Sequence, residues 1–265
     1  MAAKTTKIAV TNAKGGVAKT TTAINLADGL MHIGYNVLFI DLDPQANSTS
    51  IYTKNTEREP DDLTLFDLMR GCLAQERLNI DAYIKSTEFG DIILGDRRLR
   101  TIDSEIISTI GGNKIIYRIL KQIDGMYDYV IMDTPPNIGA FMRNALYAAD
   151  GCICPVLPKK FAMDGLKDLI DTINMIKYDG NENLDIYGIL LTVYDKRNSQ
   201  DKMVKQMLPE IGKELRIRVF DTVIRTSQNV EKSLSRCQKL FDYYSQSAGA
   251  SDYANFIKEL LDIIS

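Results

Sequence analysis

Apolar positions along this chain alternate between two periods. Short runs that are apolar at nearly every position read as buried strands: KIAVTN (7–12), NVLFIDLD (36–43), DIILG (91–95), YDYVIMD (127–133), GCICPVL (151–157), DIYGILLTVYD (185–195) and RVFDTVI (218–224). Between them lie stretches with helical spacing. Residues 19–33 form the first, ended by Gly34, and SDYANFIKELLDII (251–264) forms the last. Residues 47–70 are polar and turn helical only near 65–69. Strands that are apolar on both faces need helices on both sides, which is the condition of a parallel sheet. Strand–helix alternation with few hairpin signals therefore predicts a doubly wound α/β fold, mostly parallel, with 1–265 as a single domain.

Composition narrows the class. The chain has 265 residues, 45% of them hydrophobic, which suits a globular protein with a sizeable core. No apolar run reaches the length of a membrane span, and the N-terminal stretch is too short in apolar residues for a signal peptide. The expected location is cytoplasmic. Cys72, Cys152, Cys154 and Cys237 match no zinc or disulfide spacing, and Cys152 and Cys154 are expected to be buried strand residues. With His32 the single histidine, a histidine metal site or a Ser-His triad is excluded as the chemistry.

The chemistry concentrates in VTNAKGGVAKTT, residues 10–21. The usual phosphate-binding loop is G-x-x-x-x-G-K-[ST]. Here alanines, Ala13 and Ala18, occupy both outer glycine positions, and a second lysine, Lys14, stands inside the loop. The context still fits: a strand, a turn, then a helix from Lys19. Backbone N–H groups of a glycine-bearing turn that feeds a helix N-terminus surround phosphate oxygens well. Gly15 and Gly16 allow close backbone approach, and Val17 and Ala18 complete the cradle. Lys19 would reach the β- and γ-phosphates, Thr20 would hold Mg²⁺ and Thr21 would contact the α-phosphate. Alanine at position 18 costs little if the backbone there has ordinary helical angles. Two acidic motifs follow, Asp41 and Asp43 in FIDLDPQ and Asp133 in VIMDTPP, both at strand C-termini. Ligands of doubly wound sheets bind at that edge. A carboxylate there can hold Mg²⁺ through water or orient an attacking water.

On these residues the chain resembles the ParA/Soj partition ATPases, within the wider deviant Walker A group that includes MinD and the nitrogenase iron protein. K-G-G-x-x-K-T-T matches Lys14 to Thr21, D-x-D-P-Q matches Asp41 to Gln45, and D-x-P-P matches Asp133 to Pro136. The family loop has glycine where this chain has Ala18. The resemblance implies ATP and Mg²⁺ as cofactors and a homodimer when ATP is bound. It implies that Lys14 reaches the partner's ATP, as an arginine finger does. It further implies that Asp43 positions the attacking water, with Asp41 and Asp133 near the Mg²⁺ shell beside Thr20. A DNA-partition ATPase of this kind binds double-stranded DNA without sequence preference, associates with the nucleoid and is reset by a ParB-like centromere-binding protein. The first strand begins near Lys7, so the resemblance is to the short type without an N-terminal helix-turn-helix.

Charge distribution bears on the DNA reading. Residues 196–239 carry eleven Lys/Arg against five Asp/Glu, an excess of +6 on a chain whose net charge is −3. By resemblance, Arg197 in LLTVYDKR and Arg225 in TVIR are the expected DNA contacts. Lysine and arginine contacts to phosphates suffice for binding without sequence preference. Two alternatives stay open. A MinD-like membrane-cycling ATPase would need a basic C-terminal helix, whereas SDYANFIKELLDIIS has one lysine against Asp252, Glu259 and Asp262 and reads as a packed terminal helix. A metabolic ATPase on the same scaffold is the other.

Overall fold

The computed structural model describes residues 4–56, 59, 61–159 and 162–265. In chain order the first half contains β1 (Thr6–Val10), α1 (Lys19–His32), β2 (Val37–Asp41), α2 (Asn47–Tyr52), α3 (Leu65–Leu73), β3 (Ile84–Thr87) and β4 (Gly90–Ile93). Then come α4 (Asp103–Ser108), α5 (Ile115–Gln122), β5 (Tyr129–Asp133), α6 (Ala140–Ala148), β6 (Gly151–Val156) and α7 (Ala162–Asp179). The last part holds β7 (Asp185–Tyr194), α8 (Ser199–Leu215), β8 (Val219–Arg225), α9 (Gln228–Ser235), α10 (Leu240–Tyr243) and α11 (Ala248–Ile264).

Among the described residues, eight strands form one sheet in the order β3-β4-β2-β5-β1-β6-β7-β8. Every neighbouring pair is parallel except β3–β4, a hairpin at one edge. All seven strands read from apolar runs are present. The eighth, β3, was hidden: IKST is short, polar and only partly buried, as an edge strand can be. Residues 47–52 also differ from the expected polar loop, since they form α2.

Each face of the sheet is covered. Leu38, Ile40, Val130, Met132, Cys152 and Cys154 point into one core, closed by α3, α5, α6 and α7. Ile8, Val10, Phe39, Ile131 and Ile153 point into the other, closed by α1 and α11. The two sets alternate along each strand, as a period of two demands. Cys152 and Cys154 are buried strand residues, as expected. The closeness of α1 to α11 depends on Gly29, where a Cβ would come within 2.2 Å of Ile257 and 2.8 Å of Phe241. Tyr253, Phe256 and Leu260 of α11 are fully buried, and Glu259 accepts from the backbone N–H of Asp221 and Thr222 at 2.7 and 3.0 Å. The C-terminal helix is thus packed on the sheet edge at β8. Parallel pairing sets Val10 beside Asp133 and Asp41 beside Asp133, so the C-terminal ends of β1, β5 and β2 lie side by side.

Candidate nucleotide-binding site

The loop between β1 and α1 is held by side chains that the motif does not mention. Asn12, fully buried, donates its amide to the Pro155 carbonyl at 2.8 Å and accepts from the Lys14 N–H at 2.9 Å. Thr192, at the end of β7, donates to the carbonyls of Val17 at 3.2 Å and Val156 at 3.0 Å. Thr134 donates to the Val10 carbonyl at 2.9 Å. The loop is therefore fastened to β6, β7 and β5. Sequence reasoning missed Asn12; its one signal is a short polar residue directly after a buried strand, the usual start of an Asx turn.

Two loop residues are left-handed. Gly16 has φ 72°, which suits glycine, and nothing crowds its missing Cβ. Ala18, directly before α1, has φ 61° and ψ 33°. The ordinary helical angles under which alanine would cost little are not what the chain adopts. A Cβ in this region costs about 1–2 kcal/mol. Ala46, directly before α2, repeats the device with φ 55°. The helices on both sides of the site thus begin after a strained alanine.

Lys19 is buried and its ammonium donates to the Lys14 carbonyl at 2.8 Å. Burial pulls its pKa below the ordinary lysine value, and the nearby carboxylates of Asp133 and Asp43 partly oppose that. It stands near two of the three acids expected for the site, Asp133 and Asp43. Lys14 itself is half-buried. Thr20 donates to Asp133 Oδ2 at 2.8 Å, so the first turn of α1 is latched to the end of β5.

Asp133 and Asp41 are both fully buried. Burial is the leading cause that pushes both carboxyls above the ordinary aspartate value. Their surroundings differ, however. Asp41 Oδ2 accepts from the Thr49 N–H at 2.8 Å and the Thr49 hydroxyl at 2.7 Å, and Oδ1 accepts from the Asp43 N–H at 3.2 Å. It is spent on the chain's own α2 and on the turn that carries Asp43. Asp133 Oδ2 accepts from Thr20 and Ser48, each at 2.8 Å, while Oδ1 is buried with no hydrogen-bond partner. An orphaned buried carboxylate oxygen costs free energy unless something occupies it. Hydroxyl and carboxylate oxygens are hard donors, the set that Mg²⁺ takes together with phosphate. The residues present fit such a cation at Asp133 and Thr20; Asp41 stands behind them as a support.

Asp43 is nearly buried, with Oδ1 accepting from the Gln45 N–H at 2.8 Å. A cavity of about 380 Å³ opens here, lined in part by Asp43, Gln45, Arg100, Pro136 and Asn137. The expected DNA arginines fare differently from one another. Arg197 is 86% exposed and pairs with its neighbour Asp195 at 2.9 Å. Arg225 is not a free surface cation: its Nη2 lies 2.6 Å from the buried Asp252 of α11, and Nε donates to the same carboxylate. The backbone N–H of Arg225 donates to Asp252 as well, at 3.0 Å. Other cations of residues 196–239 reach the surface, interspersed with Glu210 and Asp221. Lys202, Arg216 and Lys232 are exposed, and a 440 Å³ cleft between α8 and β8 is lined by Lys205, Lys213, Arg216 and Arg218. Among the described residues no helix is long and apolar enough to cross a membrane.

A family model described as "AAA domain" matches residues 5–186. The sporulation initiation inhibitor protein Soj of Bacillus subtilis is 33% identical over 96% of this chain and 97% of its own length. The chromosome partitioning protein ParA of Caulobacter vibrioides is 34% identical over 96% of this chain and 93% of its own. Among solved structures, cobyrinic acid a,c-diamide synthase from Mycobacterium smegmatis with bound ATP analogue and magnesium has a TM-score of 0.81 at 27% identity, covering 97% of this chain and 94% of that one. With the first turn of α1 latched to Asp133 at the C-terminal edge of a doubly wound sheet, and with relatives matched over nearly their whole length, the chain belongs to the ParA/Soj family of P-loop ATPases.

Proposed function

We propose that this protein is an ATP-hydrolysing partition switch whose ATP-bound homodimer binds double-stranded DNA without sequence preference. The observation that carries the ATPase reading is the Thr20–Asp133 latch with its orphaned Oδ1, beside a buried Lys19 and Asp43. Partition as the task is supported by the Soj and ParA relatives.

The residues divide the work. The N–H groups of residues 15–21, at a helix N-terminus, hold the phosphates. Lys19, withdrawn onto the Lys14 carbonyl, exchanges that contact for the β- and γ-phosphates and brings charge with little desolvation still to pay. Thr20 and Asp133 hold Mg²⁺, which when bound neutralises the phosphate charge that builds up during transfer. Asp43 orients the attacking water, held in register by the Asp43–Gln45 turn. Lys14 acts on the ATP of the second subunit, so that nucleotide and dimer form together. A ParB-like partner that speeds hydrolysis would reset the dimer. Exposed cations of α8 and its flanks, with Arg197, supply the phosphate contacts to DNA.

The test is ATP turnover and dimerisation in three variants. Lys19→Ala loses ATP binding, Lys14→Ala binds ATP as a monomer, and Asp43→Ala accumulates an ATP-bound dimer. An Asp43→Ala enzyme with normal turnover would refute the assigned role. A second reading, a metabolic ATPase, draws on the synthase likeness; it requires turnover that depends on a small substrate and is indifferent to DNA.

A further inference from the structure

Ser48 belongs to none of the motifs, yet its hydroxyl donates to Asp133 Oδ2 at 2.8 Å in a fully buried setting. The same oxygen receives Thr20 at 2.8 Å. One acceptor atom therefore joins α1, which follows the phosphate loop, to α2, which follows the Asp43 turn. A single donor leaves a carboxylate free to pivot about its Cβ–Cγ bond and present either oxygen. Two donors from two different helices fix Oδ2 as the oxygen turned to the protein, and Oδ1 as the one without a partner. The next residue repeats the pattern on the neighbouring strand. Thr49 donates twice to Asp41 and accepts from the Gly95 N–H at 2.7 Å, so the start of α2 is pinned to β2, β5 and the loop after β4 at once.

From this geometry we infer that Ser48 is a positioning residue for the cation: it holds the Asp133 carboxylate in the orientation that the cation needs and ties cation binding to the segment that carries Asp43. The inference rests on the Mg²⁺·ATP reading of the site. Outer hydrogen bonds to metal-holding groups commonly govern metal affinity by about tenfold or more. Ser48 touches neither phosphate nor water in this scheme, so its loss acts on the cation and not on nucleotide alone.

The experiment titrates Mg²⁺ into wild type, Ser48→Ala and Ser48→Thr with a fluorescent ATP analogue as probe, alongside binding of the same analogue in EDTA and thermal unfolding without nucleotide. The expected result is a Mg²⁺ half-saturation raised about tenfold in Ser48→Ala, unchanged analogue affinity in EDTA, and recovery in Ser48→Thr, which restores the hydroxyl. Should Ser48→Ala fail to fold, Ser48→Cys, close in size with a weaker donor, is judged by the same criterion. A Ser48→Ala titration that overlays wild type overturns the inference. So does a loss of analogue affinity in EDTA as large as with Mg²⁺, since that marks a purely structural role. A wild-type protein whose analogue binding ignores Mg²⁺ would instead remove the reading on which the inference stands.

Discussion

Replacing Ala18 with glycine should stabilise the protein, against the general rule for Ala→Gly in or beside a helix. Ala18 holds φ 61° and ψ 33°, and an L-residue there costs about 1–2 kcal/mol relative to its preferred regions. Glycine removes that cost but adds freedom to the unfolded chain, worth about 0.4–1 kcal/mol the other way. The balance favours Ala18→Gly by about 0.5–1 kcal/mol, which in a chain of this size raises the unfolding temperature by about 1–3 °C. Ala46→Gly should follow the same sign, because Ala46 has φ 55°. Ala254, exposed in the middle of α11, is the opposite control: Ala254→Gly should lose about 1 kcal/mol. Urea and thermal unfolding of the three variants without nucleotide, followed by circular dichroism, decide the matter. If Ala18→Gly is destabilised as much as Ala254→Gly, the loop does not strain its alanine and the argument is wrong.

Asp28, 2% exposed on α1, has its carboxyl pushed up to about 6 by burial, against the help of the Phe241 N–H at 3.2 Å. A raised carboxyl favours the folded state below the unfolded value near 4, and that stability is lost as pH rises through about 6. At pH 8 its charge costs about 3 kcal/mol at most, so Asp28→Asn should gain up to that amount at pH 8 and nothing near pH 4; urea unfolding at both pH values checks it. Arg225→Ala leaves the Asp252 carboxylate buried and unpaired, and should cost roughly 1–3 kcal/mol in the same unfolding assay, the half-exposed arginine accounting for the lower end. Lys14→Ala should keep nucleotide binding in a monomer and lose the ATP-dependent dimer by light scattering; an intact dimer would remove the trans role of that lysine.

The apolar strands and the edge at which the acids gather were legible because buried parallel strands leave long apolar runs, and Asp41, Asp43 and Asp133 stand at the ends of two of them. The polar pieces were not. The four residues of β3 pair with one neighbour only and need no apolar pattern. The helix α2 reads NSTSIY, hydroxyls that look like loop but donate to Asp41 and Asp133, partners distant in sequence. Ala18 could not be judged from its identity, since its cost depends on φ alone. Arg225 was placed on the DNA surface by its neighbours in the chain, whereas its partner, Asp252, comes from a helix 27 residues away.

The proposed function makes this protein a nucleotide-gated DNA switch. Its most direct test is binding of the wild-type protein to an unrelated duplex DNA at low salt, with ATP and Mg²⁺, with ADP and Mg²⁺, and with no nucleotide. The account predicts binding with ATP alone, lost steeply as salt rises. Equal binding in all three conditions, or none in any of them while ATP still drives dimerisation, would contradict it.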